Sequence, residues 1–409
     1  MIKPQIPFQG VDVQMMATTS LLLLIGLIMI ASASIDIAEA RSGNEFHYVI
    51  RHGIFIALGV IAALFVYQLP LSWWQKSGWL ALSAALFLLT LVLIPGVGKE
   101  VNGSVRWIGL GSLNLQPSEI AKLFLVAYLS GYLVRRRDEV LESWWGFAKP
   151  MIVLFVAALL LLAEPDFGAT VVIGCAFLGM IFLSGAKIGQ FILLIVGCLV
   201  SVAMLVVSQP YRLKRLTGYT DPWADQYASG YQLTQSLIAF GRGDIAGVGL
   251  GNSIQKQFYL PEAHTDFVFA ILAEEFGLIG TLIVIALFAL LVYRVCKTGF
   301  IAEKRGQLFH AYFAYGIAIL LGVQAFFNMG VNMGLLPTKG LTLPLVSYGG
   351  SSLVVSCMCI GIIARIQNEL CQSKSELPSD VDKLVKGDHK NRYSPIVDVK
   401  DIQRGGYAR

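Results

Sequence analysis

Residues 266–293 read DFVFAILAEEFGLIGTLIVIALFALLVY, and from Phe276 to Tyr293 no side chain carries a charge. An α-helix rises about 1.5 Å per residue, so such a run crosses a hydrocarbon layer of about 30 Å. Working outward, comparable apolar segments fall at 15–35, 52–68, 77–95, 118–134, 150–164, 167–184, 189–208, 309–328 and 344–364. The 409 residues are 56% hydrophobic and only 14% charged, against about a quarter charged in soluble domains. Backbone groups in lipid must be satisfied within each segment. The pattern therefore predicts an all-α membrane protein with ten transmembrane helices.

The loops orient the chain. With the N-terminus in the cytoplasm, Arg135, Arg136, Arg137, Arg294, Lys297, Lys304, Arg305 and the basic tail after Arg365 all lie inside, as the positive-inside rule requires. An even number of spans returns the C-terminus to the cytoplasm. The net charge of +5 then reads as a topological signal, and no nucleic-acid-binding module accompanies it. No cysteine falls in an outside loop, so no disulfide is expected. Lys3, the run Leu21–Ile30 and Ala31-Ser32-Ala33 resemble a signal peptide, but the apolar stretch begins near Met15. It is read as an uncleaved first helix.

This places a transmembrane domain at 1–365 and a polar tail at 366–409 whose default is disorder. Two outside segments stand out: 96–117, rich in turn residues, and 209–265, a large loop between helices 7 and 8. Connections of that length usually carry function. Within the second, Leu233, Leu237 and Phe240 recur at helical spacing between Tyr231 and Arg242. That helix would lie on the membrane surface or pack on neighbouring spans.

Ionisable groups at membrane depth mark function by default. Lys122 falls inside the fourth apolar segment with Glu119 three residues earlier, on the same helical face. Burying the lysine costs roughly 2.5–3.5 kcal/mol, so it needs a partner. The pair either lines a polar cavity or is a structural ion pair. Asp266 opens the eighth segment, where a helix N-terminus favours its charged form. It reads as a helix cap or as a base that takes a proton from a hydroxyl, a role that Glu262 or His264 would also suit. Glu274 and Glu275 lie deeper, and at least one should avoid lipid. Arg106, Arg212, Lys214, Arg215, Arg242, Lys256 and Lys339 are cations able to engage phosphate, or lipid head groups. Gly247, Gly249 and Gly251 follow no parallel strand, so they read as a flexible loop rather than a dinucleotide site. Asp380-Val381-Asp382 sits in the tail, and no Walker sequence or paired-histidine zinc motif is present.

Four motifs carry a resemblance. They are Arg106-Trp107-Ile108 with Gln116-Pro117-Ser118-Glu119 and Lys122; Ala163-Glu164-Pro165-Asp166-Phe167-Gly168; Tyr259 to Phe267, YLPEAHTDF; and Leu336 to Pro344, LPTKGLTLP, continuing into Ser347-Tyr348-Gly349-Gly350-Ser351-Ser352. In this order they resemble the SEDS family (shape, elongation, division and sporulation), from the first span to about Arg365. Ala263 and the Pro337–Pro344 run favour its division branch over its elongation branch. The resemblance implies an inverting peptidoglycan glycosyltransferase at the periplasmic face of the bacterial inner membrane, at the division septum. It would extend β-1,4-linked glycan strands from lipid II, a disaccharide-pentapeptide on undecaprenyl pyrophosphate. Asp266 matches the family's catalytic aspartate, and Glu119 and Lys122 match residues of its cavity. Arg106, Arg242, Glu262, His264 and Lys339 are candidates to line it. No tightly bound cofactor is implied, although a divalent cation, magnesium or manganese, would help cations stabilise the departing pyrophosphate. A class B penicillin-binding protein, a transpeptidase, and other division proteins are the implied partners. Lipid II flipping and a non-catalytic scaffold remain as alternatives.

Overall fold

The computed structural model describes residues 10–375 except 102–103, 111–112, 194, 197–221, 225, 228–229 and 338–339. Its elements are α1 (Val13–Ser42), α2 (His47–Gln68), α3 (Leu71–Lys76), α4 (Gly78–Val92), β1 (Gly98–Val101), β2 (Ser104–Leu110), β3 (Leu113–Leu115), α5 (Pro117–Arg135), α6 (Arg137–Glu142), α7 (Trp144–Ala163), α8 (Phe167–Leu183), α9 (Tyr231–Gly243), α10 (Val268–Lys304), α11 (Leu308–Asn332) and α12 (Gly350–Ser375). Among the described residues, α1, α2, α7, α10, α11 and α12 are long and apolar enough to cross a membrane, and α4 and α8 are shorter apolar helices. Nine of the ten expected segments thus coincide with helices. The segment 189–208 lies largely outside the described residues, as do Arg212, Lys214, Arg215, Lys339 and Asp380–Asp382.

Burial sorts the helices into layers. In the most apolar window of α12, 83% of residues are buried, against 17% in α2. α2 runs along α12, α10 along α11 and α4 along α5. The interior helices are therefore α5, α11 and α12, and they carry the polar side chains that lipid would not tolerate. α1 is an integral part of the bundle: Met15, Leu22, Met29 and Ile30 are fully buried. Asp12 caps its start by accepting from Gln14 and Met15 amides, and Gly43 closes it with φ 65°, the left-handed position that glycine fills most easily.

Three departures from expectation have physical causes. Segment 96–117 forms a three-stranded antiparallel sheet, β1-β2-β3, in which Ile108 lies opposite both Gly98 and Leu115. The tail begins later than residue 366: α12 continues to Ser375, because Gln367, Asn368 and Leu370 are buried and Arg365 pairs with Glu369 at 2.7 Å. The surface-helix alternative for α9 gives way to packing. Leu233 is buried, Phe240 meets Phe269 at 5.8 Å between ring centres, and Ser236 donates to Asn332 O at 2.7 Å.

The glycine-rich loop is tightly held. α10 breaks at Gly277, where φ is 63° and ψ −160°. The groups freed by the break bond to the loop. Val248 and Gly249 amides donate to the carbonyls of Glu274 and Glu275, each at 3.0 Å, and the Leu278 amide donates to Asp244 O at 2.9 Å. Polar backbone groups at this depth must find partners. Gly247 and Gly249 have φ of 79° and 95°; a Cβ at Gly247 would run into Glu275 O. Close backbone approach, rather than flexibility, is what these glycines provide.

Candidate active site

The four motifs, far apart in sequence, meet at one end of the bundle. Gln116 at the start of α5 donates its amide to Ser351 Oγ at 2.9 Å. Ser118 donates to Asp166 Oδ2 at 2.9 Å, and Asp166 also caps α8 through the Ala169 amide at 3.1 Å. Tyr348 donates its amide to His264 O at 3.0 Å. Asn328 on α11 donates to Asp266 O at 2.8 Å and to Leu341 O at 2.5 Å, and Asn332 adds a second bond to Asp266 O at 2.9 Å. The backbone at Asp266 is thereby locked while its side chain stays available.

Asp266 is half-buried and does not cap α10, whose N-cap is Phe267, with no side-chain bond. A Cβ on Gly340 would lie 2.9 Å from Asp266 Oδ2, so only glycine leaves the carboxylate face open there. Burial and the nearby Glu262 push the carboxyl up to about 7, with Arg106 opposing. Desolvation thus opposes the charged form that a helix start would favour. Glu262 is exposed and accepts from Thr265 Oγ1 at 2.8 Å. His264 is buried against Tyr48, with ring centres 4.7 Å apart, and burial is the main cause of its lowered pKa.

Deeper in the bundle, Lys122 Nζ bonds Glu119 at 2.9 Å and Gln324 Oε1 at 2.7 Å. Gln324 passes the chain on to Ser352 Oγ at 3.1 Å. Lys122 and Glu119 are only 3% and 6% exposed, so the polar groups connect α5, α11 and α12 without reaching lipid. Glu274 and Glu275 are both fully buried. Glu274 accepts from Arg242 at 3.2 Å, from the Ile254 amide at 3.0 Å and from Ser253 Oγ. Glu275 accepts from Lys256 at 3.0 Å and Ser32 at 2.5 Å. Arg242 and Lys256, read as phosphate cations, thus hold the loop to α10.

Arg106, half-buried on β2, donates Nε to Glu164 O at 3.3 Å and Nη2 to Pro165 O. It is the described cation whose field reaches Asp266. Gln324, Asn328 and Asn332 went unremarked in the sequence, yet their spacing of four marks a polar stripe on one helix face. A hollow of about 430 Å³ between α1 and the 250–257 loop, lined by Ser32, Asp36 and Lys256, lies apart from Asp266 and Arg106.

The profile of the Cell cycle protein family of FtsW, RodA and SpoVE matches residues 13–372. A protein of Hahella chejuensis named "Probable peptidoglycan glycosyltransferase FtsW" is 59% identical over 370 residues, covering 90% of this chain and 93% of that protein. A protein of the same name from Pseudomonas fluorescens is 54% identical over 379 residues, covering 92% of each. Among solved structures, a chain of a peptidoglycan synthase complex that coordinates polymerization and crosslinking superposes with a TM-score of 0.71 at 27% identity, covering 88% of this chain and 98% of that chain. The rod shape determining protein RodA of Thermus thermophilus superposes with a TM-score of 0.66 at 26% identity, covering 88% of this chain and 97% of that one.

Proposed function

We propose that this chain, which belongs to the Cell cycle protein family of FtsW, RodA and SpoVE, is a peptidoglycan glycosyltransferase that extends septal glycan strands from lipid II. The observation that carries the reading is Asp266: half-buried, backbone-locked by Asn328 and Asn332, and near neutrality in its titration. A general base works best with a pKa near the operating pH. The acceptor sugar's hydroxyl oxygen attacks the anomeric carbon of the donor. Its proton passes to Asp266 as the bond from that carbon to the pyrophosphate oxygen breaks. Attack opposite the leaving group inverts the anomeric centre and gives a β-1,4 link. Arg106, aimed by the Glu164 and Pro165 carbonyls, offsets charge developing on the pyrophosphate.

Among the described residues, no three His, Cys, Asp or Glu side chains converge to hold a metal ion. The described carboxylates do not build a cage for magnesium or manganese, and no step above passes through one. The Lys122–Glu119–Gln324 chain holds the helices behind the site in register. The finer topology belongs to the same proposal: ten spans, both termini cytoplasmic, and the loop ending at residue 265 in the periplasm. Cysteines placed singly in a cysteine-free background should react with an impermeant thiol reagent at 230–265. Labelling at 294–308 instead would invert the orientation.

The deciding experiment is polymerisation of lipid II by purified protein, without a membrane gradient, alone and with a class B penicillin-binding protein. Glycan strands are expected, more of them with the transpeptidase. Transport of lipid II with no polymer would favour a flippase. Neither activity, with the transpeptidase still bound, would favour a scaffold.

A further inference from the structure

Glu164, at the C-terminal end of α7, has no place in the mechanism above. It is fully buried, and neither carboxyl oxygen has a hydrogen-bond partner among the described residues. An ionised carboxylate in that situation would be very costly, so the side chain must be a neutral acid in the resting site. Its neighbours make this matter. Asp166 lies two residues on, its carboxylate engaged by Ser118, Gln116 and the Ala169 amide. Arg106 reaches the corner from β2, but it bonds the backbone carbonyls of Glu164 and Pro165 and not the Glu164 carboxyl. Among the described residues, the charged groups whose fields reach Glu164 are these two, and the field of Arg106 also reaches Asp266. One guanidinium thus acts electrostatically on two carboxyl groups.

We infer that Glu164 is a positioning residue whose uncharged form leaves the Arg106 guanidinium free for the pyrophosphate, and whose ionisation would withdraw it. The inference rests on the polymerase reading of the same site. Burial, with Asp166 adding to it and Arg106 opposing, raises the Glu164 carboxyl to about 8. The site would therefore have an alkaline limb that belongs to Glu164 and not to a catalytic group.

The test uses the full chain in detergent and undecaprenyl pyrophosphate as the probe, with binding measured from pH 7 to pH 9. Wild type should lose about tenfold in affinity, following the neutral fraction of a group that titrates midway. Glu164→Gln, the same shape but permanently neutral, should hold its affinity to within about twofold, the residual change that ionisation of Asp266 allows. An infrared difference spectrum between the two pH values should show, besides the Asp266 band that both proteins share, a second protonated carboxyl that disappears in wild type and is missing from the variant. An unchanged alkaline fall in Glu164→Gln, or no such carboxyl band in wild type, would overturn the proposal. Both measurements need no turnover, so a chain that failed to polymerise lipid II would refute the enzymatic reading while these still decide Glu164.

Discussion

Glu274 and Glu164 are both fully buried, yet the fold treats them in opposite ways. Around Glu274 it supplies Arg242, Ser253 and two loop amides; Glu119 and Glu275 likewise receive Lys122 and Lys256. Among the described residues Glu164 receives nothing on either oxygen, and the Asp266 carboxyl is left open beside Gly340. A buried acid that is given a bonded cation holds structure together, whereas one left without any bond costs stability and persists where chemistry uses it. The difference assigns roles that residue type alone does not.

The largest expected effect tests the open set. Asp266→Asn should reduce polymerisation by about 10²–10⁴-fold while the protein still binds lipid II and its transpeptidase. Because the native carboxyl titrates near 7, above its unfolded value of about 3.9, the folded state binds more protons between those values. Stability from this group therefore falls as pH rises toward 7, and at pH 8 the Asn variant should melt no lower than wild type. An Asn variant within about threefold of wild-type rate would move the base to Glu262 or His264.

Lys122→Ala tests the bonded set. Removing one member of a buried pair costs about 3–5 kcal/mol, so thermal melting in detergent should drop sharply and function should be lost. Glu119→Ala should impair function less. If Lys122→Met/Glu119→Leu restores melting but not polymerisation, the pair contributes to the cavity as well as to packing. Wild-type melting in Lys122→Ala would break the distinction between the two sets.

The pH profile sharpens the comparison next. A base acts only when ionised, so polymerisation should fall about tenfold per unit below the Asp266 value near 7. Asp266 should govern that acid limb, measured with substrate below saturation. The smallest effect is expected for Arg242→Ala. Its side chain is 37% exposed, and the buried Glu274 keeps Ser253 Oγ and the Ile254 and Gln255 amides as donors, so the loss should stay well below that of Lys122→Ala. Glu274 should keep residues 253–255 in place, with hydrogen exchange there unchanged and polymerisation within about threefold. A much larger loss of polymerisation in the folded variant would return Arg242 to the substrate site.

Apolar length and charge made most of the helices legible in the sequence. The run at 266–293 and its companions needed only hydropathy, because a helix in lipid satisfies its own backbone. Local pattern alone also marked Lys122, Glu119 and Asp266 as out of place for their segments. What it left open was partnership. Gln324 and Lys122 are 202 residues apart, and Asn332 and Asp266 are 66 apart; no local pattern states that they meet. Glycine spacing suggested a loose loop at 247–251, whereas the break at Gly277 turns that loop into a backbone partner of α10.

The sequence by itself determined the membrane class, the positions of most helices though not their ends, and which ionisable groups would need an explanation, since these depend on transfer energies and periodicities within one segment. Only the tertiary structure decided which of those groups are answered. Arg242 and Lys256 close on Glu274 and Glu275, Arg106 is held by the Glu164 and Pro165 carbonyls, and Asp266 does not cap its helix. Hydrogen bonds and desolvation act over a few ångströms in space. Whether a buried charge is held, neutralised or left available is therefore settled by neighbours that the chain brings from far away.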